Sequence, residues 1–204
     1  MSEHRITSLA ELREIYPPPK ERTLKKIQGR LDDHCRGFIA ISPFVLIATA
    51  SAAGHCDVSP KGGPPGFVTV LDDHHLVIPD ATGNRLLDGL QNILENPQVG
   101  LVFLIPGMGE TLRVNGAVTL TDDPERLAGL QTGGRAAKLA LIVAVREAYI
   151  HCAKALIRSQ LWDPSTWADP DELPSAAVIL GAHIGIADVA ASEAALSEGY
   201  RTQL

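Results

Sequence analysis

The chain has 204 residues, a formal net charge of −6, 45% hydrophobic residues and 4% aromatic residues. That length suits one core with appended helices; the acidic balance gives no overall field favouring nucleic acid, and the few aromatics argue against a stacking surface for single strands. No run is long and apolar enough to span a bilayer, and the polar, mixed-charge segment Met1–Arg13 has no secretory pattern, so a cytoplasmic protein is expected.

Pro17-Pro18-Pro19 ends a short helix over Ser8–Ile15 and begins a stiff connector. Leu24, Ile27, Leu31 and Phe38 recur near helical spacing and predict one helix from about Glu21 to Ile41, stopped by Ser42-Pro43. Phe44–Ala50 is a continuous apolar run rich in β-branched residues. His55–Pro60 follows the Gly54 turn as its hairpin partner. Phe67–Leu71 and Leu76–Ile78 flank the Asp72-Asp73 turn, a helix reads over Asn84–Glu95, and Val99–Ile105 is a buried strand. Thr111–Leu120 alternates: Leu112, Val114, Val118 and Leu120 share one face, and Thr111, Arg113, Asn115 and Thr119 the other. Leu139–Val145 is the last strand. Helices follow over His151–Leu161, Ser175–His183 and Asp188–Tyr200, the first separated from the others by the proline-containing loop Trp162–Pro174.

Short strands without regular β-α-β alternation predict a mainly β fold with flanking helices (α+β), an antiparallel barrel whose closure removes exposed edges. The expected organisation is a single domain over 1–204. Residues 1–43 form N-terminal helices, 44–149 the barrel core and 150–204 a C-terminal helical region.

The three cysteines, Cys35, Cys56 and Cys152, each follow a histidine, but no tight C-x-x-C pair is present. The expectation is three reduced, mostly buried thiols and no metal.

Three segments carry candidate chemistry. In Cys56–Gly63 the alternating Asp57, Ser59 and Lys61 give a polar face. Pro60 marks an edge or strand end, and Gly62-Gly63 admits close backbone approach to a ligand. In Pro79–Arg85, Thr82 or Asn84 caps a helix whose free N–H groups, with Arg85, suit a phosphate; alternatively Arg85 pairs with Asp80 or Asp88. In the third, His151, Lys154, Arg158 and Trp162 fall on one face of a helix, either a ligand-facing row or a solvated basic face.

In this order these segments resemble the pyridoxamine 5′-phosphate oxidase-like FMN-binding split-barrel proteins. Asn96-Pro97-Gln98-Val99 leading a core strand and Gly116 within Thr111–Leu120 add to the resemblance. It implies a split β-barrel with C-terminal helices and a homodimer holding FMN at the subunit interface. The implied cofactor-binding residues are Asp57, Val58, Ser59, Pro60 and Lys61 along the flavin ring, Ile78 and Pro79 just before the phosphate turn in sequence, and Asn84 and Arg85 at the phosphate. Thr111 and Arg113 complete the pocket, and Lys154, Arg158 and Trp162 come from the partner. The tail lacks the oxidase's substrate motif of a Trp followed later by an Arg-Leu pair. The resemblance therefore points to an FMN-dependent oxidoreductase with a different small-molecule substrate. Alternatives on the same fold are a deazaflavin-dependent reductase, a haem-binding protein using His55, His74, His75 or His183, and a non-catalytic flavin-binding protein.

Overall fold

A computed structural model describes residues 4–80, 85–186 and 188–203. Helices α1 (Leu9–Ile15), α2 (Glu21–Lys25) and α3 (Asp33–Ile41) come first, then strands β1 (Phe44–Ala50), β2 (Cys56–Gly62), β3 (Thr69–Val70) and β4 (His75–Pro79). There follow α4 (Asp88–Glu95), β5 (Gln98–Leu104), β6 (Thr111–Thr121), α5 (Pro124–Leu127), β7 (Gln131–Thr132), β8 (Arg135–Ala136) and β9 (Ala140–His151). Helices α6 (Lys154–Ser159), α7 (Ala176–Ile184) and α8 (Val189–Gln203) end the chain.

Seven strands form one antiparallel sheet in the order β2-β1-β5-β6-β9-β4-β3, and β7 and β8 make a separate hairpin. Every second residue of the long strands points inward. Val45, Ile47, Leu101, Phe103, Leu112, Val114, Val143, Leu76 and Ile78 are all buried in one cluster. The protein is thus mainly antiparallel β with flanking helices, as its sequence predicts.

Closure is where the expectation needs correction. The terminal strands β2 and β3 are not hydrogen-bonded to each other. The sheet nevertheless curls until its two ends meet through side chains. Lys61 on β2 donates from Nζ to Asp80 Oδ1, just past β4, at 2.9 Å. The barrel is split, and this ion pair crosses the split. Its edges are blunted rather than removed, β3 by being two residues long and β2 by Pro60.

The predicted helix Glu21–Ile41 is broken in two. Between its halves, Gln28 exchanges backbone hydrogen bonds with Ala148 of β9, and Leu31 N–H donates to Asp73 O. These tertiary bonds outweigh the local helical pattern. Asp32 then starts α3 by accepting from Cys35 N–H at 2.8 Å, which turns Cys35, Phe38 and Ile39 into the core. That backbone bond holds the Asp32 carboxyl below its ordinary range. The folded-state shift is downward, so the cap's contribution is present above the ordinary Asp pKa of about 4 and is lost as pH falls below it. Asp32→Ala is expected to cost about 1 kcal/mol at neutral pH, read from urea denaturation, and much less in acid.

Two further boundaries move. Helix α4 begins at Asp88 rather than Asn84, with Leu87 as a left-handed cap (φ 63°) making no side-chain cap bond. Thr82 and Asn84 lie outside the described residues, and Arg85 (φ 64°) precedes the helix instead of sitting in its first turn. Strand β9 runs on to His151, taking the start of the predicted helix His151–Leu161. At the C-terminus, α7 and α8 pack on each other, and Arg135 of β8 donates to Thr202 O at 2.9 Å. No single helix among the described residues is long and apolar enough to cross a membrane.

Candidate functional site

The split in the barrel opens into a cleft of about 1170 Å³. Its walls are β2, the segment Pro79–Asp80, the stretch Arg85–Leu90 leading into α4, and the β7–β8 hairpin with Lys138 and Leu139. Its floor is apolar, made by Ile47, Ile93 and Leu141.

Strand β2 has a built-in polarity. Asp57, Ser59 and Lys61 are half-buried, while Val58, Pro60 and Gly62 are exposed. The backbone alternates as well. Gly63 N–H donates to Pro43 O and Ser51 N–H to His55 O at the two ends of the β1–β2 pair. With the register between them, Asp57, Ser59 and Lys61 turn their backbone groups toward β1. Val58, Pro60 and Gly62 turn theirs to the open edge, where the missing N–H of Pro60 costs no ladder bond.

Lys61 and Asp80 keep only 23% and 16% of their side-chain surface exposed. Lys61→Met strands a largely buried carboxylate, at an expected cost of about 1–2 kcal/mol after discounting for the remaining solvent contact. Adding Asp80→Leu is expected to restore most of that stability, measured as a double-mutant cycle in denaturant. An uncoupled cycle would show that the pair does not hold the split together.

Arg85 lines the cleft and is exposed, and it pairs with neither Asp80 nor Asp88 among the described residues. The alternative reading of Arg85 as a partner of those carboxylates is therefore corrected. Of the other sequence-predicted residues, Asp57, Val58, Ser59, Pro60, Lys61 and Pro79 line the cleft. Ile78 does not, because it points into the core with no exposed surface.

The remaining predicted residues lie elsewhere. Thr111 is buried opposite His151 on the β6–β9 ladder, and Arg113 stands opposite Tyr149. The expected helical row fails. His151 is on a strand, α6 spans only Lys154–Ser159, and Gln160 (φ 50°) ends it before Trp162. Trp162 instead donates from Nε1 to Met108 O at 2.8 Å, pinning the segment after α6 to the β5–β6 turn. None of Lys154, Arg158 and Trp162 lines the cleft.

Sequence reasoning missed the β7–β8 hairpin, which contributes Thr132, Gly133, Arg135 and Ala136 to the cleft. The signal was present: Gly133 (φ 54°) and Gly134 (φ 73°) supply the two left-handed residues a tight hairpin turn demands.

Cys35 alone of the cysteines is buried, and burial pushes its thiol up to about 11. Cys56 and Cys152 are exposed, which corrects the expectation of mostly buried thiols. Among the described residues no group of three His, Cys, Asp or Glu side chains is placed to hold a metal. None of His55, His74, His75 and His183 lines the cleft.

The chain is similar to several solved structures of low identity. HupZ of Group A Streptococcus is 16% identical with a TM-score of 0.48, covering 58% of this chain and 92% of that one. A Clostridium acetobutylicum protein related to general stress protein 26 of B. subtilis, of the pyridoxinephosphate oxidase family, is 14% identical (TM-score 0.46; 58% and 86% covered). An FMN-binding protein from Syntrophomonas wolfei is 12% identical (TM-score 0.45; 69% and 92% covered). At these scores the likenesses say nothing of what this chain binds. No curated protein matches the sequence. The family model for pyridoxamine 5′-phosphate oxidase, however, matches residues 31–152, from the end of the α2–α3 connection through the whole seven-stranded sheet. With more than half of its length matched, the chain belongs to the pyridoxamine 5′-phosphate oxidase family.

Proposed function

We propose that the cleft binds FMN and that the protein is an FMN-dependent oxidoreductase of a small molecule, working as a cytoplasmic homodimer with the whole chain as one domain. The observation that carries this reading is the composition of the cleft in a chain of this family: an apolar floor, a strand edge with outward backbone groups, and cations at the rim.

The donor set fits the cofactor. A planar apolar ring suits the floor of Ile47, Ile93 and Leu141, and its polar edge suits the outward backbone of Val58, Pro60 and Gly62. Lys61 has three N–H donors and spends one on Asp80, so it can also donate to an electron-rich ring edge. Arg85 offers its planar fork to a phosphate at the mouth. When bound, the flavin supplies hydride acceptance and donation. The protein's part is to orient the ring, place a cation against negative charge and exclude water from the floor.

The test is a titration of FMN-free protein with FMN and with riboflavin. FMN is expected to bind saturably and roughly tenfold or more tighter, because only FMN carries a phosphate for a charged anchor. Equal affinities would remove the phosphate from the cleft, and no binding of either would overturn the reading.

A further inference from the structure

Outside the cleft, the outer face of the β6–β9 ladder gathers cations that the proposed function does not use. Arg113 and Tyr149 are direct cross-strand partners, and His151 lies two residues along, paired with Thr111, so the three share one face. Lys26, just after α2, comes over the same Tyr149 ring at 5.4 Å, and the Arg113 guanidinium sits at 5.8 Å from its centroid. All four side chains are half-buried, and none lines the cleft.

The cluster is electrostatically unbalanced. Arg113 makes no hydrogen bond or ion pair among the described residues, and its Nε is buried without a partner. Lys26 spends one donor on Ile150 O at 3.0 Å. Glu147, two residues along β9 from Tyr149, accepts from Asn115 Nδ2 at 2.7 Å and makes no ion pair with these cations. Burial, and then Arg113 and Lys26, hold the His151 imidazole below its ordinary pKa, so the histidine already yields to the surrounding positive charge. A buried donor with no acceptor is costly, and like charges gathered without a counter-ion add to that cost. An anion on this face offsets the gathered positive charge.

We propose that Arg113, His151 and Lys26 form an oxyanion site, separate from the cleft, that takes a phosphate or phosphate monoester. Three donors arriving from two strands and a helix end suit the three free oxygens of a tetrahedral anion better than a flat carboxylate. Lys26 and Arg113 both sit within cation–π distance of the Tyr149 ring, which gathers them at one place on the sheet. The inference does not rest on the flavin reading.

The experiment titrates inorganic phosphate into the protein, without and with saturating FMN, while the His151 ring resonances are followed by NMR and assigned with His151→Gln. Saturable binding is expected, with the His151 pKa moving upward as the anion arrives. Arg113→Gln is expected to weaken binding about tenfold or more, as for a lost charge-assisted hydrogen bond. Lys26→Gln, a change near the surface that leaves the sheet intact, is expected to weaken it in the same direction. Absence of saturable binding in both the free and the FMN-saturated protein would overturn the site. An unmoved His151 titration, or phosphate affinity untouched by Lys26→Gln, would do the same. Displacement of phosphate by a single equivalent of FMN per chain, enough to fill the cleft alone, would overturn its separation from the cleft. Failure of FMN to bind at all would leave the phosphate measurement readable on its own.

Discussion

Gly116→Ala is expected to destabilise the protein by about 3 kcal/mol, although it adds one methyl group. A Cβ at Gly116 falls 2.2 Å from Ala144 O and 3.0 Å from Ala144 C, and both are backbone atoms of the neighbouring strand that cannot rotate away. The site is a β-bulge. Asn115 pairs with Glu147 but Gly116 pairs with Val145, leaving Arg146 as the extra residue on β9. The bulge changes which side chains face the core. Val143 and Val145 are buried before it and Ala148 after it, so Glu147, Tyr149 and His151 turn outward beside Arg113. Losing the bulge therefore threatens the outer-face cluster as well as the ladder. Gly37→Ala in α3 is the control, because nothing lies within 4 Å of its added Cβ. That change is expected to stabilise by roughly 0.5–1 kcal/mol through helix propensity. Equal effects of the two substitutions in urea denaturation would show that the close approach at Gly116 is not a constraint.

Arg85→Ala is expected to weaken FMN binding by about 1.5–3 kcal/mol, the range for a hydrogen bond to a charged group. The side chain lines the cleft and has no ion-pair partner among the described residues, so its removal breaks no structural contact seen there. Arginine and alanine are similarly strained at a φ of 64°, so the backbone cost is common to both forms. Arg85→Lys keeps the charge and loses the fork, and an intermediate affinity is expected. Unchanged FMN affinity in Arg85→Ala, measured by fluorescence quenching, would take Arg85 out of the phosphate site.

Much of the barrel was legible because its strands alternate. The pattern of Thr111–Leu120 places Leu112, Val114 and Val118 inside, and they are. The edge position of β2 was readable from Pro60, and its inward polar face from Asp57, Ser59 and Lys61. Misreadings arose where distant contacts decide the outcome. The break between α2 and α3 is set by Gln28 pairing with Ala148, 120 residues away, which no local periodicity encodes. The extension of β9 through His151 depends on pairing with Thr111. A helical reading of His151–Trp162 looked sound because spacing alone cannot tell a strand end followed by a single short helix from one continuous helix. The split entered the sequence reading through the family resemblance and not through local pattern, since Lys61 and Asp80 meet only after the whole sheet has curled.

The central claim, that the cleft holds a flavin nucleotide, is tested most directly by the absorbance spectrum of the purified protein, with any released ligand identified by mass. Flavin absorption bands and the mass of FMN are the expected result. A colourless protein that also takes up no added FMN would contradict the account.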